Sequence, residues 1–283
     1  MKKLTIALMA LSIATVSCTS TKTNSSSTAG IGKPSAGTIK QNPFYEMRIY
    51  YAAPGKLEDL NARFRNNTMR IFAKHGMVNL GYWVPVDNPD NKLIYILSYP
   101  SKEARDLSWK AFGSDPEWQA VAKASEVNGK LVAKVETMFM ENTDYSPAFK
   151  GAMDNASRLV ELRTYTASAG NIDNLHDRFR NHTLGLFKKH GITNIAYFKP
   201  TSETQKEMLV YLIAHSNKAA ADASWKAFRE DPEWIKAKAA SEVKGGGSLT
   251  TKVESVFMLP TDYSPIKYIS CLRLRSGNED AGG

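Results

Sequence analysis

The 283-residue chain is longer than one compact core ordinarily needs, so two folded units are the first expectation. A composition 42% hydrophobic and 23% charged excludes both a disordered chain and a multi-pass membrane protein. The net charge of +9 is spread through interleaved segments such as Lys102-Glu103-Ala104-Arg105-Asp106, not gathered into a basic stripe, which argues against a nucleic-acid partner.

In chain order, Met1-Lys2-Lys3 and the apolar run from Leu4 to Ala14 read as the basic and hydrophobic parts of an export signal, too short to span a bilayer as a mature helix. Thr15-Val16-Ser17-Cys18 resembles a bacterial lipobox, whose cysteine is cleaved and lipidated, although Thr15 replaces the usual aliphatic residue and leaves ordinary signal cleavage as the alternative. Residues 1–18 are therefore expected to be a lipoprotein-type signal, and the Ser/Thr-rich residues 19–43 a flexible tether. The predicted address is a bacterial cell envelope, with the protein anchored to the membrane through Cys18 and facing the periplasm. Cys271 is the only other cysteine, so thiolate catalysis, CxxC redox chemistry and zinc–thiolate sites are excluded from the folded units.

The rest is one pattern written twice. Glu46-Met47-Arg48-Ile49-Tyr50 returns as Glu161-Leu162-Arg163-Thr164-Tyr165, and Lys74-His75-Gly76 as Lys189-His190-Gly191, both at an offset of 115. Asp115-Pro116-Glu117-Trp118 returns at 116 from Asp231, and Thr143-Asp144-Tyr145-Ser146-Pro147 at 118 from Thr261, so the extra residues fall in loops. The first copy occupies 44–147, a linker 148–157, the second copy 158–265, and a tail without a counterpart 266–283.

Within the first copy, Tyr45 to Tyr51 alternates as a strand and ends at Pro54-Gly55. Leu57, Leu60, Phe64, Ile71 and Phe72 have helical spacing, with Gly76 as the C-terminal cap. Leu80 to Val84 and Leu93 to Tyr99 are strands. A second helical region carries Trp109 and Trp118 and restarts at Asp115-Pro116, an N-cap acid with proline at the first helical position. Val135 to Met140 closes the unit. The order βαββαβ predicts an α+β fold of two tandem ferredoxin-like modules. Helices cover one face of each sheet, and the other face needs a partner sheet, so the copies are expected to form an α/β barrel of the dimeric type, within one chain or by exchange in a homodimer.

The Tyr-Glu-x-Arg-x-Tyr strand, the Lys-His-Gly helix end, Gly81-Tyr82-Trp83, Asp-Pro-Glu-Trp and Asp-Tyr-Ser-Pro together resemble the NIPSNAP family of the dimeric α/β-barrel superfamily. The resemblance implies no established catalytic activity. It also implies relatives in the superfamily that are cofactor-free monooxygenases or haem-binding enzymes.

Alternation puts Glu46, Arg48 and Tyr50 on one strand face and Met47 and Ile49 on the other. The apolar side is expected to meet the helices, so the trio and its repeat, Glu161, Arg163 and Tyr165, would face the barrel lumen with Glu136 and Glu254. Such a set suits an anionic or phenolic small molecule, and it equally suits an ion-pair network between sheets. His75 and His190 recur at helix ends, where a structural role is expected and haem ligation is the weaker alternative. No metal motif, phosphate loop or nucleophile elbow is present, so neither metal nor other cofactor is expected. The leading expectation is a small-ligand-binding or protein-interaction module, and the alternative a cofactor-independent oxygenase using the lumen.

Overall fold

Strand β1 (Phe44–Ala52) alternates between a face of Tyr45, Met47 and Ile49 and a face of Phe44, Glu46, Arg48 and Tyr50. The computed structural model, which describes residues 43–149 and 159–266, buries both faces against different partners. The expected export signal, Cys18, the tether up to residue 42, residues 150–157 of the linker, residue 158 of the second copy, Cys271 and the tail beyond Ile266 lie outside the described residues.

The first module continues with α1 (Leu57–Arg63), α2 (Met69–Lys74), β2 (Val78–Pro85), β3 (Lys92–Tyr99), α3 (Lys102–Gly113), α4 (Pro116–Ser125) and β4 (Val132–Asn142). The second repeats it as β5 (Leu159–Ala167), α5 (Ile172–Arg178), α6 (Leu184–Lys189), β6 (Thr193–Pro200), β7 (Met208–His215), α7 (Lys218–Glu230), α8 (Pro232–Lys244) and β8 (Thr250–Pro260). Each module has an antiparallel sheet with the spatial order fourth, first, third, second strand. Short pairings of β2 with β8 (Val84 opposite Leu259) and of β4 with β6 (Glu141 opposite Lys199) join the sheets into one closed eight-stranded barrel. The barrel is thus complete within a single chain, and closure leaves no exposed sheet edge.

The barrel interior is apolar and filled. Tyr45, Met47, Ile96 and Met140 of one module interdigitate there with Leu162, Phe198, Leu212 and Met258 of the other. Outside the barrel, each helical layer packs on its own sheet around Phe64, Phe72 and Tyr95, or around Phe179, Phe187 and Tyr211.

Two local features shape the helical layer. The first helix of each copy, expected to be continuous, is broken by a π-helical turn, at Phe64–Thr68 and at Phe179–Thr183. The widened turn is stabilised from within, since the Thr68 and Thr183 hydroxyls donate to the Arg63 and Arg178 carbonyls at 3.2 Å. The helix then ends as expected at Gly76, whose φ of +77° permits the closing bond from Met77 N–H to the Phe72 carbonyl at 3.0 Å.

The repeated Thr-Asp-Tyr-Ser segment is a strap to the opposite module. Asp262 accepts two bonds of 2.7 Å from Arg65, and Tyr263 donates to Asn61 at 2.8 Å within the first module's core. Asp144 reciprocates with Arg180 of the second module at 2.7 Å, and Tyr145 lies 2.7 Å from Nδ1 of His176. Ser264 and Ser146 accept backbone bonds from Tyr82 and Tyr197 at 3.0 Å, extending the seam into both sheets. The recurrence of the motif follows from this exchange, in which each copy secures the other.

Candidate functional site

Glu46, Arg48 and Tyr50 share a strand face, but that face meets the helices and not the lumen. Tyr45, Met47 and Ile49 occupy the interior instead, because two apolar sheets in contact exclude water and leave nothing to solvate a charge there. The lumen placement of the trio and of Glu161, Arg163 and Tyr165 is therefore corrected. Glu136 and Glu254 do not join them either: each is exposed near its strand start and pairs with a lysine on its own strand, Lys134 at 2.6 Å and Lys252 at 2.9 Å.

The buried acids organise the space between sheet and helices. Glu46 is fully buried and accepts from Arg48 (2.7 Å), from Arg105 of α3 (2.7 and 3.0 Å), from Trp109 (2.7 Å) and from Tyr99 (3.0 Å). Burial pushes its carboxyl up, and the two guanidinium groups outweigh that and hold it below the ordinary range. The Arg48 guanidinium lies over the Trp109 ring of α3, 4.4 Å from its centroid.

The second module keeps the plan with different donors. Glu161 accepts from Arg163 (2.5 Å), Ser255 (2.6 Å), Trp225 (2.8 Å) and Nε2 of His215 (2.9 Å). Burial raises its carboxyl, while the bonds from His215 and Ser255 and the charge of Arg163 bring it down to about 2. Arg163 lies 4.4 Å from the Trp225 ring centroid and donates to the Tyr165 hydroxyl at 3.1 Å.

Beside this second acid a cleft of about 430 Å³ opens between the sheet and helices α7 and α8. Its floor is Glu161, Arg163 and Tyr165. Aromatic walls come from Trp225, Phe228, Trp234 and Phe257, and Asp222, Arg229 and Lys238 stand at the rim. Hollows of similar or larger size, about 520 Å³ against α8 at Gly185 and about 400 Å³ between α1 and α4, have no Phe, Tyr or Trp in their walls. The cleft alone among these combines aromatic surface with buried charge, and its size is that of small-ligand pockets.

His75 and His190 are placed as helix-end residues. Their Nε2 atoms lie 2.6 Å from Asp115 and Asp231, the N-cap acids of α4 and α8, and their rings meet Phe112 and Phe228 edge-on. With Nε2 engaged by an acid, each imidazole ties its helix end to the start of the next helical segment. Among the described residues no group of three His, Cys, Asp or Glu side chains is placed to hold a metal.

Sequence reasoning missed Arg105, Tyr99 and His215, and it gave the indole N–H groups of Trp109 and Trp225 no partner. The tryptophans carried a usable signal, because a buried indole N–H needs an acceptor and the same residue recurs one helix away from the same acid.

The fold and the motifs have known counterparts. The mouse protein NipSnap homolog 3B is 24% identical over 230 residues, covering 79% of this chain and 86% of the relative, and the human NipSnap homolog 3A is 25% identical over the same shares. Among solved structures, an anthrone oxidase-like protein superposes with a TM-score of 0.52 at 10% identity, covering 82% of this chain and 97% of its own. A monooxygenase candidate from Lactobacillus acidophilus NCFM superposes with a TM-score of 0.51 at 9% identity, covering 77% and 94%. At these identities the structural likenesses show a shared fold. The sequence model of the NIPSNAP family matches both modules, over residues 45–147 and 160–265, and the chain belongs to the NIPSNAP family.

Proposed function

We propose that this NIPSNAP protein is a small-molecule-binding lipoprotein of a bacterial envelope, and that its binding site is the cleft between the second module's sheet and helices α7 and α8. The observation that carries the reading is the cleft itself: about 430 Å³ walled by four aromatic rings over a buried acid–guanidinium pair. Aromatic walls supply affinity through burial, and the fixed polar floor supplies orientation. Such a site works without a metal or haem. The packed barrel interior supports placing the ligand outside the lumen and argues against the lumen-based oxygenase.

Anchoring is the second part of the proposal. It rests on the basic and apolar N-terminal segment ending at Cys18, followed by the polar stretch of residues 19–43, long enough to hold a binding module clear of a periplasm-facing membrane surface. Native mass spectrometry of the full-length protein released gently from membranes tests both parts. A small organic molecule retained by the wild type and lost on Trp225→Ala supports the site, and retention by the variant refutes it. Recovery of Cys18→Ser in the soluble periplasmic fraction supports the anchor, whereas wild-type protein already found there refutes it.

A further inference from the structure

The two modules differ at one position in a way that explains why the second cleft is open. In the first module the Arg105 guanidinium bonds Glu46 and Asp106, lies 5.5 Å from the Trp109 ring centroid and 4.9 Å from that of Phe139. Counterparts of those four residues, Glu161, Asp222, Trp225 and Phe257, all line the second cleft. The residue corresponding to Arg105 is Ala221, which is buried and too short to reach any of this space. The first module therefore carries an arginine plug that the second lacks, although the Lys218 ammonium lies 5.2 Å from the Phe257 ring centroid.

Loss of a cationic plug does not leave the second site hungry for a cation. Glu161 regains its donors from Ser255 and His215, which stand where the first module has Thr137 and Tyr99. Asp222 is paired with Lys218 at 2.5 Å. Glu161 is thus spent within the protein, and Asp222, exposed and with an exposed counterpart in Asp106, does not distinguish the two modules. The rim has meanwhile gained positive charge: Arg229 and Lys238 replace Gly113 and Ala122. Lys238 shares one exposed pair with Glu242 at 3.2 Å, a contact worth little in water.

With the one buried acid neutralised, four aromatic walls and two added cations at the mouth beside Asp222, the geometry points to an aromatic anion, an aryl carboxylate or sulfonate, as the ligand of the second cleft, with its ring between Trp225 and Phe257 and its charge toward Arg229 and Lys238. This inference rests on the cleft being the binding site and adds the ligand's chemical class. It also assigns Ala221 as the residue that decides which module binds.

Isothermal titration of the full chain with 1-naphthoate, 1-naphthalenemethanol and 1-naphthylmethylamine tests it, together with the variants Ala221→Arg and Arg229→Gly/Lys238→Ala. The expected result is that naphthoate binds at least tenfold more tightly than the alcohol. Ala221→Arg abolishes binding of all probes, and the double variant weakens naphthoate about tenfold while leaving the alcohol unchanged. An alcohol or amine that binds as well as naphthoate, and is still blocked by Ala221→Arg, overturns the anionic class while the cleft survives as the site. Binding that persists in Ala221→Arg, or no binding by any of the three probes, overturns both. Circular dichroism and the melting temperature of Ala221→Arg establish that it is folded. Arg105→Ala opens the corresponding space in the first module but leaves Gly113 and Ala122 at its rim, so it is expected to add no tight site for naphthoate, and a second site as tight as the first would overturn the role given to Arg229 and Lys238.

Discussion

The two modules share a backbone plan down to the π-helical turn and the glycine cap, yet they differ around their buried acids. Glu46 is held by two guanidinium groups and a phenol, Glu161 by one guanidinium, an imidazole and a serine hydroxyl. Interior positions of the barrel must fit the other module and are constrained from both sides. The sheet–helix layer of each module answers only to itself, so a change such as arginine to alanine can open space there without disturbing the partner. Duplication separates the two demands: one copy keeps a closed, ion-paired layer while the other is free to become a site.

The largest effect expected from breaking this symmetry is in the ion pairs. Arg163→Met strips the buried Glu161 of its only guanidinium, and removing one member of a buried pair costs about 3–5 kcal/mol. Arg48→Met leaves Arg105 on Glu46 and costs less, about 1.5–3 kcal/mol for a lost bond to a charged group. Urea unfolding of the two variants measures the gap. Adding Ala221→Arg to Arg163→Met is expected to recover part of the loss by transplanting the first module's arrangement. Equal costs for the two single variants would show that the second guanidinium contributes nothing.

The straps offer a comparison of similar size. Tyr263 is buried in the first module's core, and Tyr145 packs, slightly less covered, against the second's. Tyr263→Ala is expected to cost about 3–5 kcal/mol, as for other large aromatic truncations in a core, and Tyr145→Ala less. If each strap secures the opposite module, hydrogen exchange in Tyr263→Ala rises first around Asn61 and Tyr82 and not around the variant's own strand.

A smaller effect separates the straps by pH. Tyr263 bonds Asn61, which does not titrate, but Tyr145 bonds His176. Burial lowers the affinity of His176 for a proton, and the nearby Arg180 and Lys199 lower it further against the opposing pull of Asp173 and Asp144. Its folded pKa thus lies below the value of about 6.5 in the unfolded chain, so the unfolded state takes up the proton first. Stability from this group is complete above about pH 6.5 and declines on acidification until the folded pKa is crossed, by at most about 1.4 kcal/mol per pH unit. His176→Asn, which copies the first module, is expected to shrink the stability difference between pH 7.5 and 5.5, and Asn61→His to enlarge it. No change in either variant would place the pH dependence elsewhere.

Much of this organisation was readable from residues alone, and the unreadable part has a physical cause. The offset repeats, the Asp-Pro helix starts and the Lys-His-Gly ends specify local geometry directly, and βαββαβ order leaves few ways to arrange the sheet. Alternation in β1 also placed Glu46, Arg48 and Tyr50 together. It could not decide which face was inside, because Tyr45, Met47 and Ile49 are as apolar as a helix-facing set and β1 is covered on both sides. The deciding information sat in another element, in Trp109 and Arg105 of α3, whose polar atoms had to end near an acid. The π-helical turn was hidden for a similar reason: an extra residue in one turn hardly disturbs the apolar spacing from Leu57 to Phe72, and it shows in the backbone bond from Met69 N–H to the Phe64 carbonyl and in the Thr68 hydroxyl bond.

The smallest predicted effect asks whether every difference between the modules carries function. Gly185 is the second residue of α6, just after the π-helical turn, at the position where the first module has Arg70. A methyl group added there meets nothing within 4 Å, and the backbone is helical without a positive φ. Gly185→Ala should therefore stabilise the protein by about 0.5–1 kcal/mol, by narrowing the unfolded chain's freedom at no steric cost. Arg70→Ala should change stability by less than about 1 kcal/mol, because its pairing with Glu117 is exposed and screened. Thermal unfolding of both variants, with 1-naphthoate titrations alongside, makes the distinction. A stabilised Gly185→Ala protein that binds as the wild type does marks this position as drift on a tolerant surface. Destabilisation, or altered binding, would instead mean that the turn between α5 and α6 must flex for the second module to work, a requirement that the first module, with arginine in the same place, does not share.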